Sequence, residues 1–375
     1  MPPPRPRWET NKKHPPPKAQ KAQKLQKTRV PDEEPAASLP LKLQQLILNI
    51  FKDSFAERFA TDIKPLLQEV KGHLYNRDFV TAFGKTEYLE TYAARWSASR
   101  ALGYVDLFWS LRARLWHGDG GDSLENGQDD AVERKRRRVI CLGGGAGAEL
   151  VALAGVRNLE LAAVNGEVEH EAELPTTQLD FVAVDIADWT PVVSVLTKHI
   201  TTAPTLSKYA SAAIKAANAP LATADDLSIA FQQLDVFNGD LQTLKSLLEG
   251  TTLITLMFTL NELYSRSLAL TQKFLLNLTE TLSPGAMLLV VDSPGSYSTI
   301  TLNGTEKKYP MHWLLDHTLL NQASNNGKDT SKSNQEMKWK KIDEDESRWF
   351  RLDPALRYPI ELENMRMQLH LYRRI

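Results

Sequence analysis

Along the first third of the chain, apolar residues recur at helical spacing. Leu43, Leu46, Ile47, Ile50, Phe51 and Phe55 fall three or four apart, which marks one face of an amphipathic helix. Ser38 is placed to cap it, with Pro40 in its first turn. Helical spacing returns from Ala93 to Leu115, so 36–131 is expected to form a helical N-terminal subdomain and linker. The linker holds Gly118–Asp130 (GDGGDSLENGQDD), a polar, glycine-rich loop. Past it, short apolar runs alternate with helix-like stretches. Strands are expected at Arg138–Leu142, Phe181–Val184, Leu227–Leu234, Leu253–Thr259 and Ala286–Val291. Helices are expected at Pro191–His199, Tyr209–Asn218, Leu241–Glu249 and Tyr264–Leu282. This alternation predicts an α/β domain over 132–375, a mostly parallel sheet with helices on both faces. Ile360–Ile375 alternates loosely through Leu362, Met365, Met367, Leu369 and Leu371, adding one or two closing strands. Polar inserts are expected near 155–178 and 322–335, and no internal repeat is visible.

Composition changes this picture at the N-terminus. The chain of 375 residues is 42% hydrophobic with a net charge of -1, ordinary for a protein with a real core. Met1–Val30, however, carries nine Lys or Arg against the single acid Glu9. Residues 1–35 lack the apolar side chains needed to offset ordering entropy, and read as a disordered basic tail. Such a tail is a solvated arm, a nuclear or nucleolar address, or an RNA-attracting segment. The single cysteine, Cys141, excludes an intrachain disulfide and a cysteine-based zinc cluster. No secretory apolar core and no membrane-length apolar run is present. The nucleus, nucleolus or cytoplasm is expected, with no membrane and no metal.

Candidate chemistry gathers at the strand ends. Val139–Glu149 (VICLGGGAGAE) runs a buried strand into Gly143, Gly145 and Gly147 and on into a helix. Glycines there permit a tight turn and the close approach of a ligand to the next helix N-terminus. A plain glycine turn is the alternative. The second strand ends in Asp185, placed to accept hydrogen bonds from both ribose hydroxyls of an adenosine; capping the helix near Trp189 is its other reading, for which Asp188 is better placed. The spacing of 38 residues from Gly147 to Asp185 points to an inserted loop. After the third strand, Asp235 could accept from an adenine amino group while Val236 or Phe237 packs on the ring; otherwise Asp235 only forms a turn before Asn238-Gly239. The fourth strand ends in Asn261-Glu262, and Asn261 would also serve as a helix N-cap. Asp292 ends the fifth. All these tips lie on the carboxyl edge of the sheet, where open α/β folds bind ligands. A dehydrogenase could share the first two features, yet nothing points to a nicotinamide site or a hydride partner. No phosphate-loop lysine, zinc-binding His-Glu-x-x-His or nucleophile elbow occurs.

In its order of motifs the chain resembles the class I, Rossmann-like S-adenosylmethionine-dependent methyltransferases. One departure stands out: the position two before the first glycine is usually acidic in that class and here is Cys141. A closer resemblance rests on Arg95–Tyr104 (RWSASRALGY), Ile140–Glu149 (ICLGGGAGAE), Val184–Trp189 (VDIADW) and Phe258–Tyr264 (FTLNELY). These are similar to a fungal family of methyltransferases whose characterised member modifies uridine N3 in large-subunit (25S) rRNA. The resemblance runs from about Leu43 to the C-terminus, outside the polar inserts. It implies S-adenosylmethionine as cofactor and rRNA or a pre-ribosomal particle as partner. The cofactor residues expected are Gly143, Gly145, Gly147, Asp185, Asp235, Val236, Phe237 and Asn261. For the uracil N3 proton, Glu262 and Asp292 are the candidate acceptors and His312 a weaker one, with Asn261 orienting the base. The reading preferred for Glu262 from the residues alone is an exposed first-turn acid favouring the helix dipole. Arg95, Trp96, Arg100 and Tyr104 combine cations and rings suited to RNA, or pack the helix against the sheet. Arg134–Arg138 is a second basic cluster. A protein or small-molecule methyltransferase, or a non-catalytic ribosome-assembly factor on the same fold, are the competing readings.

Overall fold

The computed structural model describes residues 39–116, 136–164, 178–302, 305–320 and 337–375. The basic tail, the 118–130 loop and the 322–335 insert lie outside them. Leu39–Ile375 forms one compact unit. Its helical part runs α1 (Leu41–Ser54), α2 (Ala56–Phe59), α3 (Lys64–Tyr75), α4 (Phe79–Ala82), α5 (Thr86–Tyr92), a π-helical turn (Ala93–Ser97) and α6 (Ala98–Trp116). The α/β part continues β1 (Arg136–Leu142), α7 (Ala148–Val164), β2 (Gln178–Asp185), α8 (Thr190–Thr201), α9 (Ala212–Ala216), β3 (Leu227–Gln233), α10 (Leu241–Leu248), β4 (Thr251–Met257), α11 (Leu260–Arg266), α12 (Leu268–Thr281) and β5 (Met287–Asp292). It ends with β6 (Tyr297–Leu302), β7 (Thr305–Pro310), α13 (Met311–Leu320), β8 (Trp339–Phe350) and β9 (Met365–Arg374).

The main sheet has the order β3-β2-β1-β4-β5-β9-β8. β1 to β5 are parallel, and β9 runs antiparallel between β5 and β8. β6 and β7 form a separate hairpin. This is the mostly parallel α/β sheet expected from the alternation of elements, in the class I methyltransferase-like form that the resemblance implied. The order reverses between β1 and β4, the switch point at which open α/β sheets leave a crevice. The parallel strands are apolar on both faces because both are covered. One face packs Val139, Leu253 and Leu289 against α1, α6, α7 and α8. The other packs Ile140, Ile254 and Leu288 against α10, α12 and α13. The N-terminal helices share the first of these cores, so they do not form a core of their own.

Several expectations need correction. α1 begins at Leu41 with Pro40 as its N-cap, outside the helix, and no side chain caps it. α7 continues through Val164, so 155–164 is helix and the polar insert can only begin beyond it. The long helix expected at Tyr264–Leu282 is broken at Ser267, whose extended backbone ends α11 while its hydroxyl accepts from Leu270 N–H and starts α12. β8 is not among the expected strands: the consecutive charges Asp343, Glu344, Asp345 and Glu346 leave no apolar alternation there, as is common on an edge strand.

Candidate cofactor and active site

The tips of β3, β2, β1, β4 and β5 stand side by side on one edge and are tied to one another by hydrogen bonds. Leu234 N–H donates to Asp185 O at 2.8 Å, Gly143 N–H to Val184 O at 2.7 Å, and Phe258 N–H to Val291 O at 2.7 Å. The Asn261 N–H then donates to Asp292 Oδ2 at 3.0 Å. The strand-tip residues expected from sequence therefore stand on one edge of the sheet.

At the β1 tip, Gly143 and Gly147 adopt φ of 78° and 80°, left-handed backbone that only glycine holds without strain. Gly145 has a different reason: a Cβ there would lie 2.2 Å from the Trp189 ring. Trp189 is 2% exposed. Phe83 and Tyr92, on the helical cap, pack against its ring. Gly145 N–H donates to Asp185 Oδ2 and Ala187 N–H to Asp185 Oδ1, both at a long 3.3 Å. Burial pushes the Asp185 carboxyl up to about 6, against these bonds. The Trp189 side chain and Ile186 N–H also favour its charged form, and a carboxylate at this strand tip is an acceptor of the kind a diol needs. Asp188, not Asp185, takes the Thr190 N–H of the next helix, at 3.0 Å.

Asp235 is saturated. Arg266 binds it bidentately at 3.2 and 2.8 Å, Phe237 N–H donates at 3.0 Å and the Asn238 amide at 2.8 Å. Burial raises its pKa, but these partners outweigh that and hold it below the usual carboxylate range. With all four acceptor positions used, the structure gives Asp235 the turn-forming role. Val236 and Phe237 remain as partly buried apolar walls beside it. Arg266 lies over the Phe237 ring at 5.1 Å.

At the β4 tip, Phe258 holds φ of 58°, an outlier for a bulky residue, where strain commonly marks a functional turn. The N-cap of α11 is Thr259, so Asn261 lies inside the first turn and is not the cap. Its side-chain amide is partly buried at the crevice edge. Asp292 is 3% exposed and accepts from Asn261 N–H, Ser293 N–H and Ser296 Oγ. Three donors on a buried carboxylate make it a clip between β5 and α11 and leave it poorly placed as a base. Glu262 differs. Its Oε2 is buried without a hydrogen bond and stands 3.5 Å from Arg77 Nη1, which reaches over from the α3–α4 loop. Burial raises its pKa; Arg77 opposes and Asp292 adds to the rise. His312 stacks on buried His370, against β9.

The RNA candidates divide. Tyr104 is 1% exposed and Arg95 is 7% exposed and ion-paired to Glu363, so neither can meet RNA at the surface. Trp96 is partly exposed and packs on Tyr92. Arg100 turns into the crevice, its guanidinium 4.9 Å from the Phe258 ring. In the second basic cluster, Arg137 pairs with Glu160 at 2.7 Å and Arg138 with Asp180, so these arginines secure the start of β1. Sequence reading missed Trp349. It is 50% exposed and flanked by Arg351 at 5.1 Å and Arg366 at 5.5 Å. β9 is antiparallel to β5 and β8 to β9, so the end of β8 shares the carboxyl edge with Asp292. An exposed Trp beside arginines in an edge strand was the available signal.

The edge thus offers a glycine turn, a buried acid at the second tip and apolar walls at the third, a set that fits an adenosyl group. Among the described residues no His, Cys, Asp and Glu grouping suits a metal ion, and no helix is long and apolar enough to cross a membrane. Residues 51–373 match a family model described as "Putative SAM-dependent methyltransferase". The 25S rRNA (uridine(2843)-N(3))-methyltransferase of Saccharomyces cerevisiae is 35% identical over 343 residues, covering 88% of this chain and 85% of that protein. Among solved structures, the N-methyltransferase NodS from Bradyrhizobium japonicum WM9 is 10% identical with a TM-score of 0.33, covering 72% of this chain and 97% of that one. PigF with SAH is 13% identical with a TM-score of 0.37, covering 86% and 74%. At these scores neither structure carries any part of the argument. The family match and the yeast relative, over a sheet of this order, place the chain in this family: it is an S-adenosylmethionine-dependent methyltransferase.

Proposed function

We propose that this enzyme methylates N3 of a uridine in large-subunit (25S) rRNA, free or within a pre-ribosomal particle, in the nucleus or nucleolus or in the cytoplasm. The observation that carries this reading is the 35% identity to the yeast uridine-N3 enzyme along nearly the whole of both chains. S-adenosylmethionine supplies, when bound, a methyl group on a sulfonium centre. The Gly143–Gly147 turn and Asp185 would hold its ribose side, Val236 and Phe237 its adenine, and Asn261 the edge nearest the acceptor.

What this chain must do is align the acceptor and remove a proton. Uracil N3 becomes a nucleophile only as its proton leaves. Glu262 is the best-placed acceptor: it stands beside Asn261, its buried oxygen has no hydrogen bond, and burial raises its proton affinity. Asn261 is held by the Asp292 clip and can present its amide to a uracil carbonyl. Glu262 would take the N3–H proton while the chain holds N3 in line with the methyl group that the cofactor supplies when bound. Most of the rate gain comes from that alignment. Trp349 with Arg351 and Arg366 supports an RNA substrate, because an exposed ring between cations can stack an unpaired base beside its phosphates.

The test is transfer of labelled methyl from S-adenosylmethionine to unmethylated 25S rRNA, followed by nucleoside analysis. N3-methyluridine is expected. Label on protein or small molecules only, or on another nucleoside, overturns the reading. Glu262→Gln should lower the rate about 100-fold or more while S-adenosylhomocysteine binding stays intact.

A further inference from the structure

Two oppositely charged groups near the β1 and β4 tips, Arg100 and Glu149, have no ion-pair partner among the described residues. Arg100, on α6, is partly buried between the Phe258 and Tyr92 rings, and its Nη1 donates to the Tyr92 hydroxyl at 2.7 Å. Among the described residues no carboxylate lies within ion-pair reach of it, 4.0 Å. Burial works against its charge, but Tyr92, Tyr104 and Glu149 outweigh this and its pKa lies above the ordinary arginine value. Glu149, in the first turn of α7, is 4% exposed. Thr255 Oγ1 donates to its Oε1 at 3.3 Å, and among the described residues no cation lies within 4.0 Å. A charge held this deep without a counter-charge is strongly disfavoured unless something completes the site. The two groups sense each other's field yet do not touch. Both belong to the β1–β4 switch point: Arg100 lies over Phe258, which follows β4, and Glu149 follows the β1 glycine turn and bonds to Thr255 of β4.

Resting on the assignment of this crevice to S-adenosylmethionine, we infer that Arg100 and Glu149 hold the amino-acid end of the cofactor, the guanidinium on its α-carboxylate and the Glu149 carboxylate on its α-ammonium. Cys141 fits this arrangement. It pairs in register with Thr255, the same threonine that donates to Glu149. The class usually carries an acid at the Cys141 position. A second carboxylate there would face Glu149 in a dry site, where like charges repel. The acid has moved from the strand to the helix that follows it.

The test compares two ligands by calorimetry: S-adenosylhomocysteine, and 5′-methylthioadenosine, which lacks the amino-acid end. The wild-type chain should bind the first more tightly by about 10- to 100-fold, the range of charge-assisted hydrogen bonds. Arg100→Gln and Glu149→Gln should each remove most of that ratio while 5′-methylthioadenosine binds as before, which also shows that the variant has folded. If Arg100→Gln fails to bind 5′-methylthioadenosine, Glu149→Gln decides alone. A ratio unchanged in both variants overturns the inference, as does loss of RNA binding by Arg100→Gln with the ratio intact. A wild-type chain that distinguishes the ligands by less than about 3-fold overturns it while leaving the cofactor assignment standing. A wild-type chain that binds neither ligand overturns the cofactor assignment and the inference together.

Discussion

Replacing Glu149 by Gln should make the ligand-free protein more stable at alkaline pH. The Glu149 side chain is 4% exposed, and burial lifts its carboxyl from 4.5 to about 7, against hydrogen bonds from its own backbone and Thr255 and the field of Arg100. Because the folded pKa exceeds the unfolded one, the folded chain binds the proton more tightly. Stability is then full below about pH 4.5, falls as pH rises through about 7, and is flat beyond. At 1.36 kcal/mol per unit, the lift amounts to about 3 kcal/mol at pH 8. Gln carries no charge and suffers no such loss. Urea unfolding of both proteins without ligand, from pH 4.5 to 8, reads the difference directly. The gain of Glu149→Gln over wild type should grow by about 3 kcal/mol across that range. A difference flat with pH, or one that moves in favour of wild type as pH rises, would refute the reasoning. Such a result would mean that the carboxylate is already solvated or paired in the folded state. The same substitution should weaken cofactor binding, so stability and function would move in opposite directions, as at sites holding strain for a ligand.

Three further outcomes follow from the geometry. Gly145→Ala drives a Cβ to 2.2 Å from the Trp189 ring and should destabilise by about 1–3 kcal/mol in urea unfolding, with loss of S-adenosylhomocysteine affinity. Asp292→Ala removes the acceptor of the Asn261, Ser293 and Ser296 donors and should destabilise by about 1–3 kcal/mol, with kcat falling more than cofactor affinity. Trp349→Ala should weaken binding of a single-stranded rRNA fragment by about 1–3 kcal/mol in a filter or fluorescence assay, with cofactor affinity unchanged.

The sheet was legible because its strands are buried on both faces. A run such as Phe181–Val184 or Ala286–Val291 has no other use for so much β-branched and aliphatic surface, and the intervening helices show their own period. Where those conditions fail, the pattern fails. β8 carries a run of charge at Asp343–Glu346 in place of an apolar alternation, as an edge strand that meets water can, so no period-2 pattern marked it as a strand. The break at Ser267 was invisible for another reason: Ser is tolerated inside helices, and only its extended backbone ends α11. Boundary shifts at β1 and β2 arise because polar residues enter the strands through side-chain pairing: Arg136 with Gln178 and Arg138 with Asp180 across the ladder, and Arg137 with Glu160 on α7.

For the site, what could be read is what each strand carries to its own tip. Gly143, Asp185, Asn261 and Asp292 are each fixed by local sequence and by strand order, and they stand together on one edge. Which lone pairs are free depends on partners distant in sequence. Asp235 looks available until Arg266, 31 residues on, takes both of its oxygens. Glu262 meets Arg77 across the crevice, from a loop nothing in the sequence attaches to it. Arg100 is the sharpest case. In the Arg95–Tyr104 segment an arginine near Trp and Tyr suggests a surface for RNA. The π-helical turn at Ala93–Ser97 inserts an extra residue per turn, so helical spacing across it does not predict which residues share a face. Arg95 then goes to Glu363 and Arg100 to the crevice, beside a buried acid that its local sequence marks only as an ordinary first-turn glutamate. Charge without a partner, in a place where charge is disfavoured, is information held by the fold and not by the motif.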